Sequence, residues 1–446
     1  MGLLASFIVP HPPLIIPEVG RGEERKIKKT IEAYKKVAKT VSEQKPDTII
    51  VITPHAQSFY DYIKVSVAKS ASGDFSSFNA KEVKISCDYD QYFIEAILEK
   101  AKSKYFPLTQ MGGGDKTLDH GTLIPLYFIN QEYQDYQLVR FSLSGLPLMT
   151  HYEFGKLLAE VIELGNKNYV LIASGDLSHK LLEEGPYGFQ KEGPLFDQKV
   201  IEIIKQNRLK KLLDFKEDFI EKASECGLKS FIIMAGALEN FQTESTLLSY
   251  EGPFGVGYAV ASIMTKDKLN KASINESNDL LVDLAKRSIL YYLNTKKVLN
   301  IPEDTPEYLL QERAGVFVSL KRYGFLRGCI GTIEPVRKNL AEEIIHNAIS
   351  AAAFDPRFEP VKLAEVDYLS ISVDVLKSPE KVYSLKELDP LKYGVIVSSG
   401  SRKGLLLPNI EGVETVREQI NIALQKAGIS SNEQYSLEKF EVIRHI

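Results

Sequence analysis

Short apolar runs alternate with helical patterns along the first half of the chain. Runs of strand length bounded by proline or polar residues predict buried strands at Leu3–Val9, Thr48–Thr53, Gln137–Ser142 and Tyr169–Ala173. Apolar residues at helical spacing predict helices at Ile27–Gln44, Gln91–Lys102, His151–Leu164 and Phe231–Leu238. This alternation indicates an α/β domain with a mostly parallel sheet and flanking helices. In such sheets ligands bind outside the carboxyl ends of the strands.

A polar stretch, Thr265–Asn278, separates this half from a segment with a different pattern. Strands are predicted there at Gly315–Lys321, Tyr368–Leu376 and Gly394–Ser398, and helices at Asp279–Asn294, Leu340–Ala353 and Val416–Ala427. This content indicates an α+β domain. We therefore predict a first domain at 1–265, a linker at 266–276 and a second domain at 277–446.

Composition excludes several classes of function. The net charge of −4 gives no basic excess that would indicate nucleic-acid binding. The apolar runs are strand-sized, too short to span a bilayer, and the N-terminus has no basic region typical of a secretory signal. The three cysteines, far apart in sequence, argue against a disulfide framework. We predict a cytoplasmic globular protein.

Five of the seven histidines lie in the first domain, at positions 11, 55, 120, 151 and 179. His11 and His55 each follow a predicted strand after one proline, His179 follows another strand, and His120 lies in a predicted loop. Because the carboxyl ends of parallel strands meet at one edge of a sheet, we expect these four side chains to converge. His151 begins a predicted helix, and we expect it to cap that helix or lie at the surface.

Clustered imidazoles indicate a transition-metal site, since imidazole suits iron, zinc, copper and nickel. Two histidines with one carboxylate form the non-heme Fe(II) arrangement that activates oxygen. The candidate carboxylate is Glu225, and the adjacent Cys226 is a softer alternative ligand. The remaining histidines would then act as acid and base, and Asp176 would orient the His179 ring.

Five motifs of the first domain resemble the class III extradiol ring-cleavage dioxygenases of the LigB type and the related Memo family. They are Val9-Pro10-His11-Pro12, Thr53-Pro54-His55-Ala56, Asp119-His120-Gly121, Gly175-Asp176-Leu177-Ser178-His179 and Glu225-Cys226-Gly227. The dioxygenase resemblance implies that His11, His55 and Glu225 bind Fe(II). It also implies that His179 handles the catechol proton and that His120 helps to position substrate or oxygen. The Memo resemblance implies a cysteine ligand at Cys226 instead, which leaves the third ligand open and zinc or copper as alternative metals.

The second domain resembles the AMMECR family. The motif that carries the resemblance is Leu326-Arg327-Gly328-Cys329-Ile330-Gly331-Thr332, supported by Phe354-Asp355-Pro356-Arg357-Phe358 and Gly404-Leu405-Leu406-Leu407-Pro408. Arg327, Cys329 and Asp355 form a second candidate site. Cys329 is interpreted as a nucleophile, ligand or redox thiol, or as a small buried hydrophobic residue, which is the commoner case.

The pairing of the two domains resembles the long form of the AmmeMemoRadiSam system protein A family, whose members are thought to work beside a radical-SAM enzyme. The leading functional prediction is an Fe(II) oxidoreductase of extradiol dioxygenase type, with a small catechol-like molecule as substrate. The alternative is a Memo-like metal protein without ring cleavage that serves a radical-SAM partner, the AMMECR domain being an interaction or accessory module. The resemblance of the first domain to class III dioxygenases and Memo-like folds, which often form interfaces, also implies a homodimer.

Overall fold

The computed structural model describes residues 2–268, 279–410 and 412–446. The chain divides into two compact units, Met1–Ile274 and Asn275–Ile446, here called unit 1 and unit 2. The predicted linker at 266–276 falls largely on residues 269–278, outside those described. The described helices lack the combination of length and apolar character needed to cross a membrane.

Unit 1 is built on a six-stranded sheet with the order β7-β2-β8-β1-β10-β9. Strands β7, β2, β8 and β1 are parallel, whereas β10 pairs antiparallel with β1 and with β9. The strands of unit 1 are β1 Gly2–Val9, β2 Thr48–Thr53, β3 Ile63–Lys64, β4 Ser70–Phe75, β5 Ala80–Asp88, β6 Leu108–Thr109, β7 Gln137–Ser142, β8 Asn168–Ser174, β9 Phe241–Glu251 and β10 Tyr258–Lys268. The predicted α/β class with a mostly parallel sheet is confirmed.

Helices cover both faces of this sheet, since every residue of β2 is buried and an uncovered face would leave alternate residues exposed. The α-helices of unit 1 are α1 Pro17–Gly20, α2 Lys28–Gln44, α3 Gln91–Ser103, α4 His120–Ile129, α5 Leu148–Leu164, α6 Glu192–Lys205, α7 Glu217–Ala223 and α8 Leu228–Ala237. Short 3-10 helices occur at Pro13–Ile15, Glu23–Ile27, Ser76–Phe78 and Leu209–Asp214. His120 therefore begins a helix rather than lying in a loop.

Helices α5 and α8 pack closely because each contributes a glycine to the contact. A Cβ at Gly155 would lie 2.0 Å from the carbonyl oxygen of Ile233, and one at Gly236 would lie 2.0 Å from that of Tyr152. A side chain at either position would push the backbones apart. This contact fixes the position of α8. The segment that directly precedes α8 contains Glu225 and Cys226.

The prediction that His151 caps a helix or lies at the surface was wrong. The residue is fully buried within α5. Its Nε2 lies 3.2 Å from Ser144 Oγ, and its Nδ1 lies 3.0 Å from the carbonyl oxygen of Pro147. With a partner for each nitrogen, the ring can be buried without an unsatisfied polar atom.

Unit 2 contains two antiparallel four-stranded sheets with the orders β12-β11-β13-β18 and β14-β17-β15-β16. Its strands are β11 Val316–Arg322, β12 Phe325–Gly331, β13 Leu369–Leu376, β14 Glu380–Lys381, β15 Gly394–Ser399, β16 Arg402–Leu406, β17 Ser436–Phe440 and β18 Val442–His445. Its helices are α9 Leu280–Thr295, α10 Glu307–Gln311, α11 Leu340–Ala353 and α12 Val416–Ala427, with 3-10 helices at Leu363–Tyr368 and Leu385–Glu387. The predicted α+β class is confirmed.

Candidate metal centre

The His11 ring is held by hydrogen bonds that fix its protonation. His11 follows β1, is 2% exposed, and its backbone N–H donates to Asp176 Oδ1 at 2.8 Å. Its Nδ1 lies 2.9 Å from Ser174 Oγ, whose own hydroxyl donates to the Gly121 carbonyl at 2.6 Å. Because that hydroxyl proton is already engaged, Ser174 Oγ accepts from Nδ1–H of His11. The neutral ring therefore presents an unprotonated Nε2 to the site.

His55 places a second imidazole nitrogen against the first. It follows β2 after Pro54, and its Nε2 lies 2.9 Å from His11 Nε2. The two ring centroids are 4.6 Å apart with an interplanar angle of 80°. Two imidazole nitrogens that converge on one point are the arrangement that a transition-metal ion requires of histidine ligands.

Cys226 supplies the third converging atom. It lies between α7 and α8, and its Sγ is 3.5 Å from His11 Nε2 and accepts from the Asp176 backbone N–H at 3.3 Å. One ligand atom from each of His11, His55 and Cys226 lies within 4.8 Å of the others. A second such group joins Cys226 with Asp176 and His179.

Glu225, the preferred third ligand from sequence, does not belong to either group of potential ligands found among the described residues. Its Oε2 accepts a hydrogen bond of 2.6 Å from the backbone N–H of Leu228, at the start of α8. The carboxylate therefore serves the helix N-terminus, where free N–H groups and the helix dipole favour a negative charge. This geometry favours Cys226 over Glu225 as the third ligand.

The other two predicted histidines also lie at the site. The ring centroid of His120 is 4.0 Å from that of His55 and 5.4 Å from that of His11. His179 follows β8 through Asp176, and its ring stacks on the half-exposed Tyr187 with centroids 5.1 Å apart. Nε2 of His179 is buried and has no hydrogen-bond partner among the described residues. A buried polar atom without a partner indicates a missing ligand, substrate or water.

Burial keeps the imidazoles neutral. Burial and the charges that the other three histidines would carry hold the pKa of His11 well below its usual range. Burial also lowers the pKa of His55, although Asp119 opposes this, and lowers the pKa of both His120 and His179 to about 4. Neutral imidazole is the form that binds metal ions and that accepts a proton as a base.

Burial raises the pKa of the acidic groups at the site, because it disfavours their negatively charged forms. Burial raises the pKa of Asp176 to about 7 and that of Glu225 to about 7. Burial, reinforced by these two carboxylates, raises the pKa of the Cys226 thiol well above its usual range. A bound cation would reverse the shift at Cys226, because a coordinating thiol is deprotonated. The donor set of two imidazoles and one thiol therefore fits a transition-metal ion such as iron, copper or zinc.

In unit 2 the predicted residues are only partly brought together. Asp355 Oδ2 accepts from the backbone N–H of Cys329 at 2.8 Å, and the carboxylate pairs with Arg357 at 2.7 Å. The Cys329 thiol accepts from Ser319 Oγ at 3.3 Å. Arg327 instead pairs with Glu365 at 3.0 Å, so the guanidinium is engaged away from the carboxylate expected to share its site.

Sequence reasoning missed two residues that shape the metal centre, Ser174 and Arg140. Ser174 sets the tautomer of His11, and nothing distinguishes this serine from others at strand ends. Arg140 is 2% exposed in the middle of β7, where it lies 3.3 Å from Asp119. An arginine inside an apolar strand pattern is itself a signal, because a buried charge requires partners.

Family comparison matches residues 5–261 to the family described as the catalytic LigB subunit of aromatic ring-opening dioxygenase, and residues 282–445 to the AMMECR1 family. Protein CA_C1420 of Clostridium acetobutylicum is 41% identical over 100% of this chain and 99% of its own length. A protein of Thermotoga maritima is 51% identical over 37% of this chain and 95% of its own. The crystal structure of protein PH0010 from Pyrococcus horikoshii, 38% identical, covers 38% of this chain and 90% of that one with a TM-score of 0.36.

Proposed function

Because the chain belongs to the LigB family of aromatic ring-opening dioxygenases, with an AMMECR1 domain after it, we propose that unit 1 is an Fe(II)-dependent oxidoreductase of extradiol type. Enzymes of this family are metal-dependent and typically catalyse dioxygenase chemistry. The observation that carries the proposal is the convergence of three potential ligand atoms, with His11 Nε2 2.9 Å from His55 Nε2 and 3.5 Å from Cys226 Sγ. The substrate class is a small catechol-like aromatic.

His11, His55 and Cys226 would hold the ion. A bound Fe(II) ion would supply Lewis acidity toward the substrate and the capacity to activate oxygen. Zinc and copper are the alternatives, because imidazole and thiolate suit these metals as well.

His179 is the group that we assign to the substrate proton. Its neutral ring has a buried Nε2 without a partner among the described residues, so this atom can accept the proton of a substrate hydroxyl. Tyr187 stacks on the ring and limits its contact with water. We assign His120, 4.0 Å from the His55 ring, to positioning substrate or oxygen. Asp176 was expected to orient the His179 ring, but its Oδ1 accepts from the His11 backbone N–H, and we assign it to holding that backbone.

A second candidate function is favoured by the thiol. A carboxylate with two histidines is the usual set for oxygen-activating Fe(II), whereas the third potential ligand grouped with His11 and His55 here is the Cys226 sulfur. On this alternative, unit 1 is a Memo-like metal-binding module without ring cleavage, a radical-SAM protein is its partner, and unit 2 is an accessory module.

Oxygen consumption distinguishes these candidates. The full chain is purified without oxygen, loaded with Fe(II), analysed for bound metal, and then mixed with a panel of catechols. Extradiol activity predicts substrate-dependent oxygen uptake that is lost in His11→Ala. His179→Gln, which keeps polarity but removes the base, should lower uptake about 100-fold or more. Bound iron with no uptake across the panel would favour the second candidate, and absence of bound metal would refute both.

A further inference from the structure

Two threonines mark the ends of the strand that leads to His55. Thr48 and Thr53 are the first and last residues of β2, and both are completely buried. Each donates its hydroxyl proton to an aspartate that caps a helix, Thr48 to Asp90 at 2.6 Å and Thr53 to Asp119 at 2.7 Å. Five residue steps of a strand separate the two arrangements by about 16 Å. The same local construction therefore occurs once beside the metal centre and once far from it.

At the metal centre this construction joins two histidines. The backbone N–H of His55 donates to Thr53 Oγ1 at 3.2 Å, so the hydroxyl links His55 to Asp119. Asp119 also accepts from the N–H and hydroxyl of Thr122 at 3.1 and 2.9 Å, which fixes the first turn of α4 and hence His120. The Asp119 carboxylate thus holds in place both the segment that contains His55 and the helix start that contains His120.

Close packing leaves little freedom in this region. A Cβ at Gly121 would lie 2.4 Å from Thr53 Oγ1, 3.0 Å from Asp119 Oδ1 and 3.4 Å from His55 Cδ2. Glycine is therefore required at the second position of α4. Any change in the Thr53–Asp119 hydrogen bond alters the space that these groups share with the imidazole.

Arg140 holds Asp119 in turn. Its guanidinium lies 3.3 Å from Asp119 Oδ2 and donates to the carbonyls of Thr117 and Gly114 at 2.7 and 2.9 Å. Its Nε donates to Ser66 Oγ at 3.0 Å. The buried charge is therefore fully engaged, and it anchors the loop that leads into Asp119.

We propose that Asp119 is a positioning residue of the metal centre, which acts through Thr53 on His55 and through the α4 cap on His120. Arg140 fixes its carboxylate. The proposal rests on the metal site assigned above to His11, His55 and Cys226. The competing explanation is ordinary helix capping that stabilises the fold alone, which Asp90 also provides at the far end of β2.

Matched substitutions at the two ends of β2 distinguish a role in positioning the metal ligands from a role in stabilising the fold. Thr53→Val and Thr48→Val remove the same hydroxyl from equally buried sites. The full chain and both variants are titrated with Co(II), recording the dissociation constant and the visible absorption of the bound ion, and their thermal unfolding is compared. We expect Thr53→Val to raise the dissociation constant about 10-fold or more and to shift the spectrum, as loss of outer-shell support does. Thr48→Val should stay within about twofold of the unsubstituted chain, since it lies away from the ligands.

Asp119→Asn and Asp90→Asn give a second matched pair that changes charge with little change of shape. Asp119→Asn should weaken Co(II) binding as Thr53→Val does, and Asp90→Asn should not. Equal weakening within either pair, or an unchanged constant and spectrum in Thr53→Val, would overturn the positioning role while leaving the metal site intact. Failure of the unsubstituted chain to bind Co(II) would overturn the metal site and this inference together.

Discussion

Replacing Cys226 by alanine should remove a metal ligand, whereas replacing its neighbour Glu225 by glutamine should not. The Cys226 sulfur lies 3.5 Å from His11 Nε2, while Glu225 Oε2 lies 2.6 Å from the Leu228 nitrogen that it caps. Loss of an outer partner of a metal site costs about 10–100-fold in affinity, and loss of one of three ligands should cost at least about 100-fold. That is about 2.8 kcal/mol of binding free energy.

Glutamine at position 225 keeps an oxygen for the Leu228 N–H. Because burial raises the pKa of Glu225 to about 7, much of its charge is already absent at neutral pH. We therefore expect Glu225→Gln to change affinity by less than about threefold. The assay is anaerobic titration of each full-length variant with Co(II), which also reports a sulfur-to-metal charge-transfer band. Retention of that band in Cys226→Ala, or loss of binding in Glu225→Gln, would refute the assignment.

Three further predictions concern stability. The pKa of His151 is lowered by burial to about 3, so only the unfolded chain binds this proton as pH falls below about 6.5. Lowering the pH to 5 should therefore reduce the free energy of unfolding of the unsubstituted chain by about 2 kcal/mol more than that of the His151→Gln variant. Urea unfolding of both chains at each pH measures this difference. Parallel dependence of the two stabilities on pH would contradict the prediction. Gly155→Ala should destabilise unit 1 by about 1–3 kcal/mol, because the added carbon would meet a backbone carbonyl at 2.0 Å. Gly113→Ala, with nothing within 4 Å, is its control, and equal unfolding midpoints would contradict the steric argument. In unit 2, Asp355→Ala should cost about 1–3 kcal/mol in the same assay, because it leaves the amide at position 329 unpaired. Asp304→Ala, at a side chain that is 71% exposed, is the control and should cost clearly less. Equal losses in the two variants would refute this prediction.

Apolar periodicity predicts several elements of both units closely, because local and global preferences agree in each of them. The strands Thr48–Thr53 and Gln137–Ser142 and the helices Leu340–Ala353 and Val416–Ala427 have the bounds expected from their apolar periodicity. The convergence of four histidine-bearing segments at one sheet edge follows from the parallel topology.

The antiparallel strands β9 and β10 were missed, and β9 lies at an edge of the sheet, where its residues are only partly buried. In β9, Phe241–Glu251, exposed and half-buried residues dominate, and its partner β10 reaches into the stretch predicted as linker. The segment around Cys329, to which the sequence pattern assigned no helix or strand, is also a strand, β12, and its glycines lie against neighbouring elements. These features depend on pairing between segments distant in sequence, which local periodicity does not contain.

The choice between Glu225 and Cys226 shows how local helix physics sets the chemistry of a site. The two residues are adjacent and chemically competent, and a preference for carboxylate ligands selects Glu225. Residue 225, however, precedes the first turn of α8 by three positions, where a side-chain oxygen can accept from a free backbone N–H. Once the carboxylate is committed to that cap, the next side chain is the one left to face the histidines. Because the apolar pattern predicts the start of this helix at Phe231 rather than at Leu228, the hydrogen bond of Glu225 could not be predicted from the sequence.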